Sequence, residues 1–334
     1  MAWYHKMGTA HETVLSSRVR LARNLEGYPF DSRLSEAQAA EIIEKVGDLF
    51  VKGNFERIDF AALTKNQASV FLEKHYVSPE FINKRTPHAL MLNEQMGLAI
   101  MLCEEDHVRI QSILPGLSLD EAFKNACLAD DFLDGEFPIA FHDELGYLTH
   151  CPTNLGTAMR ASVMMFLPAL TMAGRIDALA RNLSKIGLTM RGFYGEGTAA
   201  EGSLYQISNQ VTLGITEEEA IQKLSEAVRQ IHESELELRA LITPEKNPRI
   251  IDRICRAEGT LRHAYLLSSK EFLTHYSDVR LGIALGIVNG IDAQVLDTLL
   301  IEMMPCHLLE REKTTNERER DLLRAKCIKE TLNT

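Results

Sequence analysis

Two periodicities divide this chain, and each commits its stretch to one kind of secondary structure. Gly97 to Ile113 and Leu204 to Leu213 alternate and are rich in Ile, Leu and Val, which predicts strands. Ser35-Glu-Ala-Gln38 reads as a capping box. Behind it Ala39, Ile42, Ile43, Val46, Leu49 and Phe50 recur at three-and-four spacing up to Gly53, the signature of a helix with one buried stripe. Thr216-Glu-Glu-Glu219 opens a second such helix, with Ile221, Leu224, Val228 and Ile231 on one face, expected to run to about Ile242. Between them, Arg175 to Ile186 reads as a helix stopped by Gly187, and Leu188 to Tyr194 as a strand entering a Gly195-Glu-Gly197 turn. The first eighty or so residues read as mostly helical and the remainder carries a sheet, an α+β chain. The expected division is a small helical N-terminal domain over 1–82 and a larger α+β domain over 83–334, tightly joined. Glu310 to Lys329 is densely charged with mixed signs, which predicts an exposed helix.

Composition narrows the function classes. With 45% hydrophobic and 25% charged residues among 334, the chain matches ordinary globular proteins. Lys+Arg 36 against Asp+Glu 47 leaves a net charge of −11, so nucleic acid would need a local basic site. The six cysteines are widely spaced without a CxxC pair, the usage of reduced thiols, and metal ligation is not expected. No basic stretch followed by an apolar core stands near the N-terminus. The most apolar stretch, Val163 to Ala173, is shorter than the roughly 20 residues that span a bilayer and contains Pro168, so a cytoplasmic protein is expected.

The familiar nucleotide signatures, GxxxxGK[ST], GxGxxG, HRD and DFG, are missing, which argues against a P-loop or ordinary protein-kinase fold. Arginines instead sit inside patterned segments: Ser16-Ser-Arg-Val-Arg-Leu-Ala-Arg23, His107-Val-Arg109, Met159-Arg-Ala-Ser162 and Met190-Arg-Gly-Phe-Tyr-Gly-Glu196. Guanidinium forks make paired hydrogen bonds to phosphate oxygens, so several converging forks can hold a triphosphate; any one alone is as readily a surface ion pair. Glu104-Glu105-Asp106 reads as part of a strand, which would put Glu105, His107, Arg109 and Gln111 on one face. A carboxylate and an arginine there suit either a catalytic pair or a structural ion-pair network. Cys151 lies in a polar, turn-forming segment leading to Arg160, where neighbouring cations would favour its thiolate; the other five cysteines read as inert.

Five ordered segments carry a family resemblance: Ser16-Ser-Arg-Val-Arg-Leu-Ala-Arg-Asn24, Cys103-Glu-Glu-Asp-His-Val-Arg109, Cys151-Pro-Thr-Asn-Leu-Gly-Thr-Ala-Met-Arg-Ala-Ser-Val163, Arg191-Gly-Phe-Tyr-Gly-Glu196 and Asp278-Val-Arg-Leu-Gly282. Over almost its whole length the chain resembles the ATP:guanidino phosphotransferases, the phosphagen kinase family, and most closely their bacterial protein-arginine kinase branch. That resemblance implies a small helical domain on a larger one built around an antiparallel sheet flanked by helices. It implies ATP with Mg²⁺, held by Arg18, Arg20, Arg109, Arg160 and Arg191. The nucleotide site would be lined by His75 and three segments: Ser16, Ser17, Arg18, Val19 and Arg20; Arg160, Ala161, Ser162, Val163 and Met164; and Arg191, Gly192, Phe193, Tyr194, Gly195 and Glu196. Glu105 matches the carboxylate that grips the acceptor guanidinium and serves as base, Glu196 its counterpart on a mobile loop, and Cys151 the thiolate beside the acceptor.

Two features favour a protein acceptor over free arginine or creatine. Only about fifteen residues precede the first arginine motif, so the leader carrying the small-substrate loop of the metabolic kinases is expected to be missing. Arg320-Asp-Leu-Leu-Arg-Ala325 resembles the phosphoarginine-receptor motif of the protein-arginine kinases, implying Arg320, Asp321, Arg324 and Ala325 as a binding site on one helical face. The branch further implies a Clp-type AAA+ chaperone-protease and a zinc-binding activator as partners, protein quality control under stress, and self-association. A free-arginine kinase for energy buffering and a silent phosphoarginine-binding adaptor are the alternatives. One residue departs from the family pattern: Cys103 stands where the family has Asn, ahead of Glu104.

Overall fold

A computed structural model describes residues 2–192, 201–312 and 316–333. In chain order its first half contains β1 (Val14–Arg23), α1 (Glu36–Lys52), β2 (Glu56–Asp59), α2 (Lys65–Glu73), α3 (Pro79–Ile82), β3 (Ala89–Asn93), β4 (Leu98–Leu102), β5 (Val108–Pro115) and α4 (Leu119–Asp134). A short hairpin, β6 (Phe141–His142) and β7 (Gly146–Tyr147), leads to β8 (Met159–Phe166), α5 (Pro168–Met172), α6 (Ile176–Lys185), β9 (Leu188–Gly192), β10 (Leu204–Asn209) and α7 (Glu217–Ala240). Five further helices follow: α8 (Pro248–His263), α9 (Ser269–Ala284), α10 (Ala293–Glu302), α11 (Pro305–Glu312) and α12 (Glu317–Leu332).

Local chemistry starts the helices where the sequence indicates. Ser35 Oγ accepts from Gln38 N at 3.2 Å while Gln38 Oε1 accepts from Ser35 N at 3.1 Å, and Thr216 and Glu219 reciprocate in the same way. Gly187 follows α6 at φ +75°, a conformation that costs a glycine little.

Eight strands form one antiparallel sheet in the order β2-β3-β4-β5-β1-β8-β10-β9. Its two faces differ because side chains alternate along each strand. Val19, Leu21, Ile110, Ala161, Val163 and Ile207 point to one face and are buried with the apolar stripes of α1, α4 and α7. On the opposite face, Trp3, Phe60, Tyr76 and Phe81 pack on Leu90, Leu92, Ala99 and Met101 at the β3-β4 end. Helices α8 to α12 bury a second core that reaches the sheet through Phe166 and Leu204. Between these two packed regions that sheet face carries polar side chains.

Three expectations are corrected. Residues 1–82 do not fold apart from the sheet: β1 lies between β5 and β8, β2 pairs with β3, and α1 covers the sheet, because β1's apolar residues are buried only there. The acidic cluster is not in a strand. Residues 103–107 form the turn between β4 and β5, and Cys103 adopts φ +58°. Finally, the charged C-terminal stretch is not a fully solvated helix, since Leu323, Arg324, Ala325, Cys327 and Ile328 of α12 are buried.

Candidate active site

The polar sheet face assembles side chains from five strands by register alone. Arg20 of β1 lies opposite both Gln111 of β5 and Arg160 of β8, and Arg18 lies opposite Ser162. Arg109 lies opposite Ala22, and Arg191 of β9 lies opposite Gln206 of β10. Residues directly opposite one another in an antiparallel pair project to the same side, so these arginines share a face although up to 173 residues separate them, from Arg18 to Arg191. Arg18 Nε donates to Ser162 Oγ at 3.3 Å, Gln206 Nε2 to the same hydroxyl at 3.0 Å, and Arg160 Nη2 to Ser208 Oγ at 3.2 Å.

The face opens into a cavity of about 580 Å³. Its charged end holds Arg18, Arg20, Arg109, Gln111, Ser162 and Gln206; its apolar end is walled by Trp3, Leu72, Leu300, Ile301, Met304 and Pro305. Burial, then the neighbouring Arg160 and Arg109, push Arg18 down to about 10, and the same combination with Arg18 added lowers Arg20. Arg18 therefore remains cationic at neutral pH, and the half-buried cluster of guanidinium groups is a place where a polyanion would relieve mutual repulsion. His75 lines the cavity at the end of α2, in the left-handed region at φ +61°, its carbonyl accepting from Gln111 Nε2 at 2.7 Å. Burial, and secondarily Arg18, bring its imidazole down to about 4, so it is neutral.

The carboxylates stand beside this cluster. Arg109 holds two of them: Nη1 donates to Glu104 at 2.8 Å and Nη2 to Glu105 at 2.9 Å. Glu104 is buried and also accepts from Ser78 Oγ and from the Glu105 backbone N–H, each at 2.6 Å. Glu105 is the more open of the two, its side chain 37% exposed, so it can meet a ligand that Glu104 cannot. Asp106 Oδ1 accepts from Asn24 Nδ2 and from the His150 backbone N–H, both at 2.7 Å, tying the acidic turn to the loop that carries Cys151. Cys151 is partly exposed, with Sγ 3.0 Å from Thr153 Oγ1.

Several expected site residues lie elsewhere. Ser17, Val19, Ala161 and Val163 alternate to the far face of the sheet, where Ser17 Oγ donates to the Gly116 carbonyl and the other three are core. His107 does not share a face with Arg109; Nδ1 accepts from Leu25 N at 3.1 Å and Nε2 bonds the Pro29 carbonyl at 2.9 Å, so it anchors backbone. Ser16 and Met164 line the cavity; Arg160, Arg191 and Gly192 are partly exposed. Phe193, Tyr194, Gly195 and Glu196 lie outside the described residues. Arg320 and Asp321 are partly exposed, but Arg324 is buried with its fork on the Met303 and Leu267 carbonyls and Asp321, and Ala325 is core. Sequence reasoning missed Glu104 as a partner of Arg109, and Gln206, which only cross-strand register reveals. It also missed the apolar wall, for which no local signal exists.

Residues 38–238 match the family described as ATP:guanido phosphotransferase, C-terminal catalytic domain, and residues 247–334 the protein-arginine kinase McsB C-terminal domain. The chain is 42% identical to a protein-arginine kinase of Halothermothrix orenii, covering 99% of this chain and 96% of that one. It is 38% identical to the protein-arginine kinase of Clostridium acetobutylicum, covering 99% of each. The fold is similar to that of a lombricine kinase at TM-score 0.61 and 23% identity, over 72% of each chain. A duplicated taurocyamine kinase from Schistosoma mansoni is similar at TM-score 0.59 and 25% identity, over 80% of this chain and 41% of that one. With a family model spanning more than half its length and relatives matched end to end, the chain belongs to the ATP:guanido phosphotransferase family, among the protein-arginine kinases.

Proposed function

We propose that this protein transfers the γ-phosphoryl group of ATP to arginine side chains of other proteins, with Glu105 as base. The supporting observation is one cavity lined by Arg18, Arg20 and Arg109, with apolar residues elsewhere in its wall, whose Arg109 also holds the partly exposed Glu105 carboxylate at 2.9 Å. The arginines, with Arg160 and Arg191 on the same face, bind and neutralise the phosphates, and the recess with neutral His75 receives the base. Mg²⁺ would enter with ATP as part of the substrate and would neutralise charge on its phosphates.

A protonated guanidinium is a poor nucleophile. Glu105, held in place by Arg109, orients the acceptor and takes one N–H proton as the nitrogen–phosphorus bond forms and the bond to the ADP oxygen breaks. ADP leaves with its electron pair, and Glu105 returns the proton to solvent. Glu196 and Cys151 complete the grip on the acceptor. Arg320 and Asp321 form the exposed part of a phosphoarginine receptor, the mark is read by a Clp-type chaperone-protease, and the protein works in the cytoplasm with a zinc-binding activator and as a homo-oligomer. Among the described residues no helix is long and apolar enough to cross a membrane.

Glu105→Gln keeps the shape and removes the base. Phosphoarginine formed on casein should fall by at least about a hundredfold. An unchanged rate refutes the assignment, and faster turnover of free arginine than of casein replaces the protein acceptor with a small one.

A further inference from the structure

The apolar end of the cavity is not built by the sheet alone. Leu300 and Ile301 lie in the last turn of α10, Met304 lies in the link after it and Pro305 starts α11, so the C-terminal helices close a pocket whose arginines lie on the strands. We propose that this C-terminal wall sets ATP affinity, and that Glu73 is the positioning residue that fixes it against the nucleotide. The inference rests on the nucleotide occupying this cavity.

Glu73 is the last residue of α2, and its side chain is 11% exposed. Oε1 accepts from the Cys306 N–H at 2.8 Å, and Oε2 accepts from the His307 N–H at 2.9 Å and from His307 Nδ1 at 2.7 Å. One carboxylate thereby holds the first turn of α11, the turn that contains Pro305 of the wall. Glu73 itself lines the cavity, as does His75 two residues on, so the carboxylate that holds the turn stands at the wall it positions. A second brace acts on the wall's opposite flank: Arg324 Nε donates to the Met303 carbonyl at 2.9 Å, immediately before Met304. The wall is thus clamped between α2 and α12, while the arginines and Glu105 are fixed by strands and the β4–β5 turn. Loosening the clamp disturbs the base end and leaves the reacting end in place, which raises KM and spares kcat. By reciprocity, bound nucleotide holds the C-terminal helices against α2.

The test is steady-state kinetics on casein with ATP varied, for Glu73→Ala, Glu73→Gln and Met304→Ala, with matched far-UV spectra. Trp3, the sole tryptophan, lines the cavity and reports ADP binding without turnover. Glu73→Ala and Met304→Ala should raise the KM for ATP and the fluorescence Kd for ADP about tenfold, with kcat changed less than twofold, and Glu73→Gln should fall between. If KM and Kd stay within twofold in both Ala variants, or kcat falls with KM unchanged, the proposal is overturned; should Glu73→Ala not fold, Met304→Ala decides alone. Arg18→Gln separates the two levels: full activity there refutes nucleotide binding in the cavity itself.

Discussion

Replacing Arg324 with Met tests whether this buried arginine holds the C-terminal helices together. Its side chain is 1% exposed and donates Nε to the Met303 carbonyl at 2.9 Å, and Nη1 to the Leu267 carbonyl at 2.7 Å and to Asp321 at 2.6 Å. Burial lowers its affinity for a proton and Asp321 restores part of it, the balance expected of a desolvated cation kept by its partners. Methionine preserves most of the stem's volume and removes all three bonds. Two carbonyls lose a donor at about 1–2 kcal/mol each, and Asp321, 20% exposed, loses its cation, for a total of about 3–5 kcal/mol. With an unfolding entropy of about 2.1 cal/mol/K per residue, the 334-residue chain should melt about 4–7 °C lower if it unfolds cooperatively. Arg320→Met, at a partly exposed position on the same helix, should cost no more than about 0.5 kcal/mol. Differential scanning calorimetry with parallel urea titrations measures both. A loss below about 1 kcal/mol for Arg324→Met would mean that the three bonds contribute little net stability and that the position is free to serve a ligand.

Two further outcomes follow from buried titratable groups. Burial pushes the Cys103 thiol from 9.0 up to about 12, about a thousandfold less thiolate at neutral pH, so brief alkylation followed by peptide mass mapping should label exposed Cys255 and partly exposed Cys151 well before Cys103. Early labelling of Cys103 would contradict its buried environment. His75, lowered from 6.5 to about 4, stays neutral in the fold while the unfolded chain takes up a proton, so its stabilising share is complete above pH 6.5 and is lost as the pH falls towards 4. His88 and His107, also lowered by burial, act in the same sense. His75→Asn, which tolerates the φ of +61°, should flatten the fall in melting temperature between pH 7 and 5; an identical slope refutes the assignment.

What the sequence disclosed was what depends on neighbours a few residues apart. The Ser35 and Thr216 caps, the stripe on α1 and the alternation around Gln206 all have local causes, and they appear in the structure where the pattern places them. That β1 lies between β5 and β8 has no local cause, so periodicity alone could not show that Arg20, Gln111 and Arg160 stand side by side. The β4–β5 turn was hidden for a sharper reason. It requires a left-handed residue at position 103, a place where an Asn would signal a turn, whereas Cys103 reads as one more strand residue. Arg324 misled in the opposite way: a charged residue in a charged helix reads as solvated, and only the carbonyls of Met303 and Leu267, brought in by tertiary packing, make its burial tolerable.

The central position of β1 also governs the order in which the chain can mature. Residues 14–23 leave the ribosome early, yet one flank of that strand waits for residues 108–115 and the other for 159–166. Until both have emerged, at least one edge of β1 lacks its native strand and the core around Val19 and Leu21 is incomplete, the exposure that invites misassembly in slow, long-range topologies. A nascent chain halted before residue 166 should therefore leave one edge of β1 unpaired and remain a client of holdases.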